Sequence, residues 1–260
     1  GTWQVTGQRI ESAAMAGDGS LVLLGSRDNA LYAFDVRGEP LWTFPTQGPV
    51  AGVDLSADAS RIVLACEDRN IYMLDGAGQL LWTYAGSRPW NDVALAPDGS
   101  LIAAVSANET VVALGSDGAV LWETAIRMPA DAVDVYGQGD NARVLVGNQA
   151  AEALLLARDG SNLIHAQLDY DIHAIDASAN GALWVIGAID GSVQLVDGSS
   201  GAVLWSYRTG GEVRSVSISA DGSHILAGSE DGKGYLLDAQ GKVLASDALG
   251  DYVLATVISA

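Results

Sequence analysis

Residues 42, 82 and 122 are all Trp, and each is the fifth residue of one phrase: Gly38-Glu-Pro-Leu-Trp42-Thr-Phe, Gly78-Gln-Leu-Leu-Trp82-Thr-Tyr and Gly118-Ala-Val-Leu-Trp122-Glu-Thr. The phrase returns as Gly201-Ala-Val-Leu-Trp205-Ser-Tyr, and in two worn copies as Gly160-Ser-Asn-Leu-Ile164-His-Ala and Gly241-Lys-Val-Leu-Ala245-Ser-Asp. Asp18, Asp58 and Asp98 keep the same spacing of forty. A fixed period of about 40 residues marks a chain made of copies of one supersecondary unit, none of which can bury its apolar face alone. The fold must therefore be a stack or a ring.

One unit shows the grammar. Val213-Arg-Ser-Val-Ser-Ile, His224-Ile-Leu-Ala-Gly-Ser, Lys233-Gly-Tyr-Leu-Leu-Asp and Lys242-Val-Leu-Ala-Ser-Asp read as four short strands. The turns between them, Ala220-Asp-Gly, Glu230-Asp-Gly and Ala239-Gln-Gly, supply the positive φ that tight hairpins need. No stretch keeps a helical period. The fourth unit departs most: it lacks the Trp, and Ala150-Ala-Glu-Ala-Leu-Leu-Leu has helical composition, but its phase with the neighbours predicts strand. Four-stranded antiparallel units repeated radially make an all-β propeller, here a single domain over 1–260 with repeats near 11–49, 50–89, 90–130, 131–171, 172–212 and 213–251.

The ends matter. Gly-Thr-Trp3-Gln-Val-Thr-Gly7 matches a fourth strand, and 252–260 matches a first strand such as 213–220. The expected ring has six full repeats and an incomplete seventh blade assembled from terminal strands 1–10 and 252–260. Six blades with a loose tail, or a fragment of an eight-bladed ring, remain open. An incomplete blade leaves a strand edge through which two copies could pair.

Composition narrows the partners. Thirteen basic residues against 32 acidic ones give a net charge of -19, which repels nucleic-acid phosphates and anionic membranes. No apolar run approaches the roughly 20 residues that a membrane-spanning helix needs, so neither nucleic acid nor direct membrane insertion is expected. The chain starts at Gly1 rather than Met, so a leader or an anchor could precede it. Cys66, the one cysteine, lies in the apolar run Arg61-Ile-Val-Leu-Ala-Cys66 and reads as a small core residue.

The Gly-x-x-Leu-Trp phrase after a strand ending in Asp resembles the tryptophan-docking repeat of the quinoprotein-type, PQQ-like propellers. The second turns, Gly25-Ser-Arg-Asp28, Gly187-Ala-Ile-Asp190-Gly and Gly228-Ser-Glu-Asp231-Gly, also resemble WD40 repeats. The resemblance covers the whole chain. It is specific for fold and weak for activity, because such propellers hold enzymes, sensors and scaffolds alike. A quinone-dependent dehydrogenase of that kind would imply eight blades, a calcium-held quinone and a disulfide of adjacent cysteines. One cysteine and six repeats do not fit, and no cofactor is expected. Non-enzymatic relatives, the outer-membrane assembly lipoproteins and extracytoplasmic sensor domains, are closer in size and imply an extracytoplasmic compartment.

Alternating strands place first and third turns on one face, and second turns with inter-blade loops on the other. Arg9, Arg27, Arg69, Arg88, Arg127, Arg208, Arg214 and Lys233, eight of the thirteen basic residues, fall on or near the second-turn face. Loops converging on a rigid scaffold are where binding sites form. The expected ligand- or partner-binding residues are Arg88, Trp90, Arg127, Asp131, Tyr170, Asp171, His173, Arg208, Glu212 and Tyr252. The arginines would grip carboxylate or phosphate groups, and Trp90, Tyr170 and Tyr252 would offer stacking surfaces. Asp54, Asp134 and Asp176 share one position in their first strands, where three carboxylates on a channel could hold a hard cation; more often such groups meet water or backbone. His165, His173 and His224 are not spaced as a zinc or catalytic set. The turn aspartates and the Trp column read as structural. The expected function is a non-enzymatic module for a protein or a small anionic or polar ligand, a sensor or scaffold. The rivals are a dehydrogenase or propeller hydrolase, and an architectural repeat that self-associates.

Overall fold

A computed structural model of the protein describes residues 8–258. It holds six four-stranded antiparallel sheets, each built from consecutive strands in chain order. These blades span 10–45, 50–85, 90–125, 130–167, 172–208 and 213–248. The helix-rich composition of the fourth unit is overridden: Glu152–Ala157 is a strand, paired with Arg143–Asn148 and Asn162–Gln167. Among the described residues no helix is long and apolar enough to cross a membrane.

Position in the blade decides residue type. Middle strands such as Leu101–Ser106 are buried on both faces and read as continuous apolar runs. Five apolar layers, one between each pair of successive blades, make up the core. Outer strands such as Leu80–Ala85 alternate in exposure, yet each begins with two adjacent apolar or Leu-containing positions. The pairing explains this. Trp42 and Pro40 pair with Ala33 and Phe34, Trp82 and Leu80 with Met73 and Leu74, so Leu41 and Leu81 are left over in bulges. The same bulge recurs at Leu121, Leu163, Leu204 and Leu244. It turns the Trp toward the next blade, pushes the Leu outward, and breaks up an edge that would otherwise pair with another chain.

The Trp column docks on glycine. A Cβ on Gly78, Gly118 or Gly160 would lie 2.7, 3.0 or 3.0 Å from the ring of Trp42, Trp82 or Trp122 in the preceding blade, and one on Gly241 2.9 Å from Trp205. Each of these glycines also has φ near +80°, which an L side chain rarely adopts. Trp82, Trp122 and Trp205 donate their indole N–H to the carbonyls of Ser116, Arg158 and Ala239 in the next blade's third turn.

Residues 253–258 lie where the first strand of a seventh blade would be. Thr256 N donates to Ser215 Oγ, Ile258 N to Ser217 Oγ and Val253 N to the Ser229 carbonyl. The expected fourth strand around Trp3, at 1–7, lies outside the described residues.

Gly118→Ala combines an unfavourable φ with a clash against Trp82, so it should cost roughly 2–3 kcal/mol. Gly19→Ala has φ +72 but nothing within 4 Å and should cost about 1 kcal/mol. Urea melts of both variants check the difference; equal losses would remove the indole from the explanation.

Candidate functional site

Every first strand carries a bulge at its second residue. In the first blade Ile10 and Ser12 pair with Ser26 and Gly25, leaving Glu11 unpaired. Ala51, Asn91, Asp131, His173 and Arg214 are the corresponding residues of the other blades. A bulge re-aims its side chain, and here six re-aimed side chains ring the mouth of the central channel on the second-turn face. They line a cavity of about 190 Å³ that opens into a funnel of about 350 Å³.

The ring is polar and internally paired. Arg214 is its densest node. Its Nε meets Glu230 Oε1 at 2.7 Å, its Nη2 meets Glu212 Oε2 at 2.8 Å, and its Nη1 meets His173 Nδ1 at 2.8 Å. With the guanidinium as donor, that imidazole nitrogen is the acceptor. Asp131 accepts from Gln149 Nε2 at 2.9 Å, and Asn91 Nδ2 donates to the Ala130 carbonyl. Glu11 pairs with Arg9 at 3.2 Å and Arg27 at 3.1 Å.

Of the expected binding residues, the structure brings Asp131, His173 and Glu212 to this mouth. Arg88, Arg127, Tyr170 and Arg208 stand farther out on the rim. Arg127 is 85% exposed and lies 3.8 Å from the buried Glu152, which also meets His165 Nε2 at 3.2 Å. Arg208 is 66% exposed and pairs with Asp190 at 3.1 Å. Tyr170 and Tyr252 are exposed, and the Asp171 carbonyl accepts from Ile189 N in the adjacent second turn. Tyr252 lies apart, beside the first blade. Trp90 is a correction. At 4% exposure it offers no stacking surface: it fills the first position of its strand, donates Nε1–H to the Arg69 carbonyl and packs on Tyr84. Sequence reasoning missed Glu11, and left Asn91 and Arg214 out of the site although both fall in or beside the inter-blade loops; the bulge that groups them has no signature of its own.

The channel carboxylates have another task than the one expected. Asp54, Asp134 and Asp176 each accept the N–H of the following residue on one oxygen, and on the other an N–H from the next blade's first strand. The inter-blade donors are Leu95 at 2.7 Å, Ala177 at 3.0 Å and Ile218 at 2.8 Å. Asp92, two positions earlier in its strand, does the same with Val93 and Val133. These oxygens staple blades together. Among the described residues no group of three or more His, Cys, Asp or Glu is placed to hold a metal ion.

Burial in the channel wall pushes Asp54 and Asp92 up to about 7 and Asp134 up to about 6, against the pull of the N–H bonds they accept; Asp176 is raised too. With the ordinary value at 3.8, the folded state binds more protons than the unfolded chain between that value and about 7. This contribution to stability is complete below pH 3.8 and is lost as pH rises through 7. The urea midpoint should therefore fall from pH 5 to pH 8, and Asp54→Asn should flatten the fall. A midpoint that rises over this interval would contradict the assignment.

A family model described as the outer membrane protein assembly factor BamB matches residues 2–162 and 134–253. No curated protein matches the chain.

Proposed function

The chain belongs to the family of PQQ-like β-propeller repeat proteins that the outer membrane protein assembly factor BamB represents, and from that premise we propose that it is a non-catalytic module that holds a protein partner on its second-turn face. One observation carries the reading. Met128, Tyr170 and Ile189, exposed at 40%, 44% and 39%, occur on that face in the loops of the third to fifth blades, with the well-exposed Arg127 and Arg208 in the same loops and blades. Exposed aromatic, Met and Arg side chains amid polar surface are the composition of interface cores.

Charge favours a protein over a small anion. Arg127, Arg208 and Arg214 already face carboxylates, so an incoming anion must displace an internal partner. A broad surface with its own charges can bind beside these pairs. With a net charge of -19, basic partners are steered toward the chain. The family favours an extracytoplasmic compartment, and the partner proposed here is a protein that handles outer membrane proteins.

A photo-crosslinking residue at 127, 170 or 208, in cells of the source organism, should trap one and the same protein. The same residue at 79 or 240, in third turns on the opposite face, should trap none. Adducts confined to 79 and 240 would place the interface on the wrong face. Arg127→Ala with Tyr170→Ala should weaken the captured complex about tenfold or more and leave the melting temperature unchanged; a lowered melting temperature would make these residues structural.

A further inference from the structure

Five seams around the channel carry a side-chain staple between neighbouring first strands. Asp54, Asp92, Asp134 and Asp176 tie the second blade to the third, and so on to the sixth. Ser215 and Ser217 tie the sixth to residues 256 and 258. The seam between the first and second blades has none among the described residues. The two positions that could supply one hold Ser12, whose Oγ is buried without a partner, and Ala14. Leu55 N, in register with the stapled amides of Leu95, Ala177 and Ile218, reaches among the described residues only the carboxylate of its own neighbour Asp54.

Two other cross-blade devices skip the same seam; among the described residues both are also missing between the fourth and fifth blades, but there the Asp134 staple remains. First turns are joined by Ala57 N to the Pro97 carbonyl, by Gly139 N to Asp98 and by Ala179 N to the Ala220 carbonyl. No such bond joins the first blade's turn to the second's among the described residues. Trp42 rests on Gly78 but, among the described residues, makes no indole N–H bond of the kind that Trp82, Trp122 and Trp205 make. What crosses the seam is apolar packing, Leu23 and Leu31 in one cluster with Val50 and Leu64, the edge-on contact of Phe44 with Tyr72 at 5.7 Å, the bond from Gln47 N in the linker to Asp68, and an exposed Arg27–Glu67 pair at 3.8 Å. The last three lie at the outer strands, the linker and the rim, and apolar packing itself is non-directional, so at the channel wall the two first strands touch without a bond that fixes their register. On its other side the first blade faces a cleft of about 630 Å³, lined by Ile10, Leu24, Leu249, Tyr252 and Val253.

We infer that the first blade is the moving part of this ring: it swings as one four-stranded unit on the apolar seam, widening and narrowing the cleft and carrying Arg9, Glu11 and Arg27 toward and away from the channel mouth. The motion is a local opening drawn from the least tied unit of the fold: a blade swung off its neighbours loses the burial that holds a lone four-stranded sheet together, so its own ladder bonds open with it as one group. It does not depend on what binds at the mouth. Ala14→Asp places a carboxylate where Asp54 stands in the second blade and supplies the missing staple to Leu55 N.

Hydrogen exchange of the whole chain, read by mass spectrometry, tests this. Amides of 10–45 should exchange as one group about tenfold or more faster than those of 90–208, and Ala14→Asp should slow that group alone by about tenfold, the weight of one hydrogen bond to a carboxylate. Uniform exchange across all six blades would overturn the inference, and so would a folded Ala14→Asp protein with exchange unchanged. Should Ala14→Asp not fold, Asp134→Ala decides. Removing that staple should create a second fast boundary between the fourth and fifth blades; no new boundary would sink the proposal.

Discussion

The indole of one blade lying flat on the third-turn glycine of the next is the contact on which this fold depends. A single four-stranded sheet of this size has two apolar faces and cannot bury either, so it is stable only between neighbours. The Trp fills the widening space at the outer radius where strands of adjacent blades diverge. Glycine is required beneath it for two independent reasons, the positive φ of the turn and the absence of room for a Cβ. The bulge one residue before the Trp makes the contact possible: it drops the Leu out of the ladder and shifts the alternation of the edge strand by one, so that the Trp, still paired, faces the next blade.

At the inner radius the problem is different. There the first strands approach one another closely, and large side chains do not fit. Carboxylates and serines take over, reaching across to backbone N–H groups of the next strand. The same strands carry a second bulge that frees one side chain per blade from the ladder and points it at the channel mouth. A regular scaffold thereby gains a ring of positions on which little structural demand falls, and there the residues differ from blade to blade: Glu, Ala, Asn, Asp, His and Arg. Variety at equivalent positions of a repeat is where recognition can reside without cost to the fold.

Much of this was legible in the chain. The period, the Trp column and the turn aspartates needed only alignment of the sequence with itself, because each answers a local demand that every copy shares. Asp18, Asp58, Asp68 and Asp221 accept turn N–H groups as their spacing implied. The site was less legible. Trp90 follows Pro89 and looked like a loop residue, yet it occupies the inward first position that Val50, Ala130, Ile172 and Val213 fill in the other blades. Asp92 escaped notice because it staples from two positions earlier than Asp54. The mouth residues share no chemistry and are grouped only by a bulge, which is a property of strand pairing rather than of any residue.

A double-mutant cycle between Trp122 and Gly160 tests the central contact most directly. If the glycine is there for the indole, Gly160→Ala should cost markedly less in a Trp122→Leu background than in the parent, a coupling of about 1 kcal/mol or more. Strictly additive losses would mean that the turn alone demands glycine and that the blades are held together by something else.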